Sequence, residues 1–384
     1  MTVRSLLFLI PTLPLLACGG ADEGAPGADT AEAPAETSLS VEERARAIHD
    51  RVITMDTHVD IPFTFGTEVD PGVRGDYQND LPKMQEGGLN AAFFIVYHGQ
   101  GERTPEAYAQ AYEQAIQKFT GIRRMAYELY PEQIELAYTA HDVERIHGEG
   151  KLVALIGVEN AYPMGEDLSR LEEFYDLGAR YASLTHNGHS QFGDAAIPVE
   201  RLGDEATLWG GLSPLGREAV AELNRLGIMV DISHNAKSTM MDIVGLSQAP
   251  IIASHSNAAA VWEHPRNLDD EQLRAMRDNG GVVQTTALGS FLSGDSVVTV
   301  SHFVDHIEYI KDLIGVDHVG ISSDFDGGGG VEGWNDTSET FNVTLEMVRR
   351  GWSEEEIGKI WGGNLRRVMR ATAQVAQELQ AGGE

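Results

Sequence analysis

Histidine and acidic residues follow several short apolar runs in this sequence. The first run ends in Asp-Thr-His-Val-Asp at positions 56–60, where His58 and Asp60 are two residues apart and point to the same side of an extended chain. Further runs end in Glu159, His186, His234, His255 and Asp324. Imidazole and carboxylate groups without a thiolate suit zinc and similar divalent ions. The residue types predict metal-dependent chemistry, provided that the fold brings these run ends together.

A parallel sheet with crossover helices would bring these histidine and acidic residues together. Short β-rich runs alternate with longer segments of helical period, which is typical of this architecture. The predicted strands are Val52–Asp56, Ala91–Tyr97, Leu152–Val158, Tyr181–Thr185, Met229–Ile232, Ile251–Ser254, Gly281–Thr285 and His318–Ser322. Eight strands over roughly 270 residues match a (β/α)8 TIM barrel, whose chemistry lies at the carboxyl ends of the strands. We therefore predict an α/β barrel of the metal-dependent hydrolase type over residues 41–384.

Helical segments between the strands carry their own start and stop signals. Ser213 is a predicted N-cap, Pro214 follows at the first helical position, and the helix is expected to end at Gly227. His302 and His306 are four residues apart on another predicted helix but lack the glutamate of a zincin motif. We expect both of these histidines at the surface.

The conjunction of strand-end residues is more informative than any one of them. A single histidine at a strand end is more often a hydrogen-bonded structural residue. Several histidines and carboxylates buried at one barrel mouth without a cation would be costly. A bridging carboxylate such as Glu159 would hold two ions about 3.5–4 Å apart, the separation that suits activation of a shared hydroxide.

Longer motifs surround these positions in a fixed order. They are Asp-Thr-His-Val-Asp at 56–60, Gly-Val-Glu at 157–159, Leu-Thr-His-Asn at 184–187, Val-Asp-Ile-Ser-His at 230–234, Ser-His-Ser at 254–256, His-Pro-Arg-Asn at 264–267 and Ser-Ser-Asp-Phe-Asp-Gly at 322–327. In this order they resemble the membrane dipeptidase family, also called renal dipeptidase or peptidase family M19, among the amidohydrolase-type barrels. The resemblance covers nearly all of residues 41–375.

The resemblance implies two divalent metal ions per subunit, expected to be Zn²⁺. His58 and Asp60 would bind the first ion, and Glu159 would bridge both. His234 and His255 would bind the second ion. The implied reaction is the hydrolysis of L-Xaa-L-Xaa or L-Xaa-D-Xaa dipeptides by a metal-bridged hydroxide.

The resemblance also assigns roles toward the substrate. His186 would polarise the scissile carbonyl, Arg266 would bind the terminal carboxylate of the dipeptide, and Asp324 would be the acid/base. One departure lies after the seventh strand, where relatives carry an aromatic residue but this chain reads Gln-Thr-Thr-Ala at 284–287. This difference leaves the side-chain preference open.

Two other functions fit the same sequence. A related metal-dependent hydrolase could use this site on a β-lactam, another small amide or a metallophore precursor. A catalytically idle envelope binding protein is the second alternative, but it would be expected to have lost Asp324 or a metal ligand, and all are present.

The first forty residues read as export and anchoring signals. Arg4 precedes an apolar run that is too short to span a bilayer as a mature helix, so residues 1–17 are a predicted signal peptide of an exported, cell-envelope protein. The sequence Leu-Leu-Ala-Cys-Gly at 15–19 resembles a bacterial lipobox, in which Cys18 would be acylated and would attach the protein to a membrane. An ordinary signal peptide cut elsewhere is the alternative. Residues 18–40 form a predicted flexible acidic linker.

Composition limits the partners. The net charge is −31, with 59 acidic and 28 basic residues, and no Lys/Arg cluster could follow a phosphate backbone, which argues against nucleic acid. Cys18 is the single cysteine, so the predicted barrel domain has neither a disulfide nor a cysteine nucleophile. A homodimer is expected by analogy alone.

Overall fold

A computed structural model of the chain describes residues 39–382. The predicted signal peptide, Cys18 and all but the last two residues of the predicted linker lie outside the described residues, so these three assignments stay predictions. Among the helices that the structure describes, none has the length and apolar character needed to cross a membrane.

Parallel strands form a nearly closed barrel. Across the described residues the strands are β1 (Met55–Asp60), β2 (Ala91–Tyr97), β3 (Ile134–Leu136), β4 (Leu152–Glu159), β5 (Ala179–Ser183), β6 (Met229–Asp231), β7 (Ile252–Ala253), β8 (Val282–Thr286) and β9 (Val319–Ser322). They pair in the order β1-β2-β4-β5-β6-β7-β8-β9. At the seam between β1 and β9, the backbone N–H of Asp60 donates to the carbonyl oxygen of Phe325 at 2.9 Å. The predicted (β/α)8 TIM barrel is confirmed.

Helices connect the strands. Within residues 39–382 they are α1 (Val41–His49), α2 (Leu81–Gly87), α3 (Pro105–Arg124), α4 (Ala140–Gly148), α5 (Ser169–Leu177), α6 (Pro214–Leu226), α7 (Lys237–Leu246), α8 (Asp270–Asn279), α9 (Gly289–Leu292), α10 (Val300–Ile314), α11 (Phe341–Arg349), α12 (Glu354–Gly358) and α13 (Asn364–Gly382). The predicted boundaries of α6 are confirmed. The Ser213 hydroxyl accepts from the backbone N–H of Gly216 at 3.0 Å, and Gly227 ends the helix with φ 83°.

Apolar side chains divide into two layers along the strands. On β2, Phe93 and Ile95 belong to the cluster inside the barrel, whereas Phe94 packs outward against the helices. Leu365 and Val368 of α13 join the inner cluster. The barrel interior is therefore a packed core, and the polar strand-end residues are left at its carboxyl end.

The prediction for the first strand was wrong by three residues at its start. We expected Val52–Asp56, but β1 begins at Met55, where pairing with Ala91 of β2 starts, and it extends to Asp60. The apolar side chain of Val52 packs in the outer core, where a Cβ built on Gly358 would lie 3.5 Å from its Cγ1. His58 and Asp60 thus lie within the strand and not after it.

Two further features differ from expectation. Strand β3 was not predicted, because three residues are too few for a recognisable alternation; it pairs with the first part of β4, before β5 joins that strand at Ile156. His306 is fully buried and not at the surface. Its Nδ1 accepts from the backbone N–H of Ala258 at 3.1 Å, and its Nε2 lies 3.0 Å from the carbonyl oxygen of Leu292. The ring therefore connects the segment at Ala258 to the C-terminal end of α9.

Candidate metal centre

The strand ends bring every predicted metal ligand into one cluster. β1 carries His58 and Asp60, and β4 ends at Glu159. His234 follows β6 and His255 follows β7, while Asp324 and His186 follow β9 and β5. In three groups, namely His58–Glu159–His255, Glu159–His186–His234 and His58–Asp60–Asp324, the potential ligand atoms all lie within 4.8 Å of one another.

Glu159 lies between two sets of imidazoles. Its Oε1 is 3.0 Å from Nε2 of His234 and 3.3 Å from Nε2 of His255. Its Oε2 is 3.5 Å from Nε2 of His58. The two oxygens of one carboxylate therefore face different imidazoles, as a bridging group requires.

The other carboxylates surround His58. Nε2 of His58 lies 3.5 Å from Oδ2 of Asp60 and 3.9 Å from Oδ1 of Asp324. Gly327 makes this close approach possible, since a Cβ there would lie 2.4 Å from Oδ2 of Asp60 and 2.5 Å from Oδ1 of Asp324. Any larger residue would push the two carboxylates out of position.

Hydrogen bonds fix the tautomer of His58. Its Nδ1 lies 3.0 Å from the hydroxyl of Tyr181, and this hydroxyl donates to the carbonyl oxygen of Thr57 at 2.9 Å. Because the hydroxyl proton is used in that bond, the hydroxyl must accept from Nδ1–H of His58. Nδ1 therefore carries a proton, and Nε2, the atom that faces the carboxylates, is the nitrogen that would bind a cation.

The same logic holds for the other two histidines. The Ser254 hydroxyl donates to Oδ2 of Asp231 at 2.6 Å and lies 2.8 Å from Nδ1 of His255, so it accepts from that nitrogen. Nδ1 of His234 lies 3.1 Å from Oδ1 of Asn187 and donates to it. Each Nε2 again carries a lone pair.

The Nε2 atoms of the three rings converge on the same carboxylates. Nε2 of His234 and Nε2 of His255 are only 2.9 Å apart, and both face Glu159. Within the described residues, Nε2 of His58 is buried and has no hydrogen-bond partner. Burial holds the pKa of His234 and of His255 well below the ordinary value, so both rings are neutral. Lone pairs and carboxylates directed at common points fit divalent cations.

Backbone strain and a shifted pKa mark the same cluster. His234 has φ 69° and Asp324 has φ 61°, both in the left-handed region that non-glycine residues seldom adopt. Burial raises the pKa of Asp324 to about 7; His58 opposes this rise, whereas Asp60 and Glu159 add to it. The site therefore concentrates negative charge that bound cations would balance.

A cavity of about 570 Å³ opens above the cluster. Arg266 lines it and is buried, with Nη2 donating to the carbonyl oxygen of His255 at 3.3 Å and Nε without a partner among the described residues. Burial lowers the pKa of Arg266 to about 10, so the guanidinium remains charged at neutral pH. The ring of His186 packs between those of His234 and Tyr97, with centroid distances of 4.1 and 4.7 Å.

Sequence reasoning missed several residues of this cavity. Tyr97 and Lys118 line it from β2 and α3, and Leu288 and Phe291 line it from the segment after β8, where Phe291 lies on α9. An aromatic residue thus follows β8 on the short helix α9, four positions beyond the Gln-Thr-Thr-Ala segment. The segment itself is buried, and its first three residues belong to β8.

A parallel barrel with imidazoles and carboxylates clustered at its strand ends defines a metal-dependent hydrolase of the (β/α)8 class. The sequence model of the membrane dipeptidase family, peptidase family M19, matches residues 42–383. The chain belongs to this family.

Known proteins of similar sequence and structure include dipeptidases and a metallopeptidase. The dipeptidase tcpJ of Claviceps purpurea is 36% identical over 303 residues, which cover 77% of this chain and 70% of that protein. The probable dipeptidase PvdM from Pseudomonas aeruginosa has a TM-score of 0.83 and 31% identity, covering 88% of this chain and 99% of that one. A metallopeptidase from Rhodobacter sphaeroides, liganded with a phosphinate mimic of the dipeptide L-Ala-D-Ala, has a TM-score of 0.73 and 28% identity, covering 84% and 99%. The predicted family is confirmed.

Proposed function

We propose that this protein is a binuclear metal-dependent dipeptidase. The observation that carries the proposal is the position of Glu159, whose two carboxylate oxygens face separate imidazole groups at the floor of the cavity. A mononuclear site would need only one of these faces. The family and its named dipeptidase relatives support the reaction class.

The ligand assignment is the one that the family resemblance implies, and the close grouping of these side chains supports it. His58 and Asp60 would hold one ion, His234 and His255 the other, and Glu159 both. Nitrogen and oxygen ligands without sulfur suit Zn²⁺. When bound, the two ions would supply Lewis-acid polarisation and a water molecule of lowered pKa.

Protein side chains would do the remaining work. The carboxylate of Asp324 borders the His58 side of the cluster, where it would take a proton from the attacking water. It would pass that proton to the amide nitrogen as the C–N bond breaks, so that the leaving group departs as a neutral amine. His186, at the wall of the cavity, would donate a hydrogen bond to the carbonyl oxygen as negative charge builds there.

Arg266 would set the length of the substrate. Its planar guanidinium can bind a terminal carboxylate through two parallel hydrogen bonds. In a cavity of limited volume, this contact places the scissile bond one residue before the C-terminus, which selects dipeptides. We infer L-Xaa-L-Xaa and L-Xaa-D-Xaa substrates; the dipeptide mimic bound by the Rhodobacter sphaeroides relative supports the second class.

The proposal is tested by metal analysis together with a substrate panel. Zinc-loaded protein is expected to contain two ions per subunit and to hydrolyse L-Ala-L-Ala and L-Ala-D-Ala, but not L-Ala-L-Ala-L-Ala. Removal of the ions with a chelator should abolish turnover, and added Zn²⁺ should restore it. One ion per subunit in the active enzyme would refute the binuclear assignment, and a metal-replete enzyme that cleaves no dipeptide would refute the function.

Replacement of Arg266 with alanine tests the carboxylate contact. We expect kcat/KM on L-Ala-L-Ala to fall about 10- to 100-fold, which corresponds to the loss of a charge-assisted hydrogen bond of about 1.5–3 kcal/mol. The matched substrate is L-Ala-L-alaninamide, which lacks the carboxylate and should lose far less relative to the parent enzyme. An equal loss on both substrates would show that Arg266 supports the fold of the site instead.

A further inference from the structure

Lys118 is a buried lysine in the wall of the cavity. It lies on α3, its residue surface is 3% exposed, and its side chain lines the same cavity as Arg266 and His186. Within residues 39–382 its ammonium makes neither an ion pair nor a hydrogen bond. An ammonium that faces a cavity without a protein partner can gain a charge-assisted hydrogen bond from a ligand.

The immediate surroundings of Lys118 are aromatic. Its Nζ lies 5.0 Å from the ring centroid of Phe63 and 5.5 Å from that of Tyr97, distances at which cation–π attraction favours the charged form. Burial lowers the pKa of Lys118, and the carboxylates of Asp60 and Glu159 oppose this change. Both carboxylates are proposed metal ligands, so bound ions would balance their charge and would leave Lys118 without a counter-charge.

Lys83, a second buried lysine, has protein partners for its ammonium. Lys83 is 5% exposed, but its ammonium lies 3.3 Å from Oδ2 of Asp336 and donates to the carbonyl oxygen of Gly75 at 3.2 Å. The fold therefore supplies a carboxylate and a carbonyl oxygen to one buried lysine and supplies neither to the other. The difference points to a ligand for Lys118 that comes from outside the chain.

The barrel places Lys118 and Arg266 on opposite sides of the cavity. Lys118 lies on the helix after β2, the second strand of the barrel, and Arg266 follows β7, the sixth. In a ring of eight strands, two positions that are four strands apart lie on opposite walls. A dipeptide whose C-terminal carboxylate is bound by Arg266 would cross the metal cluster and direct its N-terminal residue toward Lys118.

We propose that Lys118 is a specificity-determining residue that binds a carboxylate on the side chain of the N-terminal substrate residue, L-Glu or L-Asp. This inference rests on the proposed dipeptidase function. An ammonium has three donors and no acceptor, and an ionised carboxylate is its strongest partner. The aromatic rings beside Lys118 hold the charge in place but offer no competing oxygen acceptor other than the Tyr97 hydroxyl.

The test compares two substrates of the same shape, L-Glu-L-Ala and L-Gln-L-Ala. In the zinc-loaded wild-type enzyme we expect kcat/KM to be at least tenfold higher for the glutamyl substrate. Lys118→Met keeps an unbranched side chain but removes the charge, and it should bring this ratio close to one. Lys237→Met changes net charge equally at an exposed site on α7 and should leave the ratio as in wild type.

Each contrary outcome has its own meaning. A wild-type ratio near one, which needs no variant to measure, overturns the inference while dipeptide hydrolysis itself still stands. An unchanged ratio in Lys118→Met, or an equal loss on both substrates with a lower zinc content, shows that Lys118 acts as a structural cation and also overturns it. If the wild-type enzyme hydrolyses no dipeptide at all, the proposed function fails and this inference fails with it.

Discussion

Glu159→Gln is expected to yield a folded protein that binds at most one zinc ion per subunit and hydrolyses L-Ala-L-Ala at least about a thousandfold more slowly than wild type, a barrier increase of about 4 kcal/mol. The substitution preserves shape but replaces one of the two carboxylate oxygens with an NH₂ group. Since Oε1 faces His234 and His255 while Oε2 faces His58, the NH₂ group must point at one of the two ligand sets. An amide nitrogen cannot bind a cation there, and the bridging negative charge is also lost.

Metal content by mass spectrometry and kcat/KM on L-Ala-L-Ala check this prediction. The matched control is Glu144→Gln on α4, where the carboxylate pairs with Arg366 and Arg370 away from the strand ends. The control should keep both ions and full activity. If Glu159→Gln retained two ions per subunit, Glu159 would not be the bridging ligand.

The ligand positions could be predicted because each one interrupts an apolar run. Glu159 ends a strand whose other residues are all apolar or glycine, and such a carboxylate has no structural use in a barrel wall. The motif order then connected the separate interruptions to a single site. What joins them is the general geometry of parallel barrels, in which all strands end on the same face.

The hydrogen-bond partners that orient the imidazoles could not be predicted in the same way. Tyr181 lies inside the barrel on β5 and reaches His58 across 123 residues of sequence. An aromatic residue in a predicted strand indicates burial only, and the direction of the Tyr181 hydroxyl depends on the closed ring of strands. The exact start of β1 was missed for a related reason, because Val52 is buried by packing outside the sheet.

The position of Lys118 in the sequence of α3 does indicate that its side chain is buried. The buried residues of α3 include Ala111, Ala115 and Ile122, and Lys118 follows Ala115 by three positions and precedes Ile122 by four. It therefore lies on the apolar face of an amphipathic helix. A lysine in that register is either paired inside the protein or directed into a cavity, and only the three-dimensional structure distinguishes the two.

Asp324→Asn is expected to keep both metal ions and to lower kcat on L-Ala-L-Ala at least about a hundredfold, as for the removal of general acid/base catalysis. Asparagine has the same size and tolerates the left-handed backbone at this position, where φ is 61°, so the strand end should keep its shape. The carboxamide cannot accept the proton of the attacking water or deliver one to the leaving amine. KM should change little, because the substrate contacts of Arg266 and His186 are untouched.

Measuring the metal content distinguishes two possible roles of Asp324, metal ligand and proton carrier. Oδ1 of Asp324 lies 3.9 Å from Nε2 of His58, close enough that a role as ligand and a role as proton carrier both fit the geometry. If Asp324 is a metal ligand, the Asp324→Asn enzyme should lose zinc in parallel with turnover. If Asp324 is a proton carrier, the variant should lose turnover and keep its zinc. Near-normal kcat in a fully loaded Asp324→Asn enzyme would exclude both roles and would require another group to protonate the leaving amine.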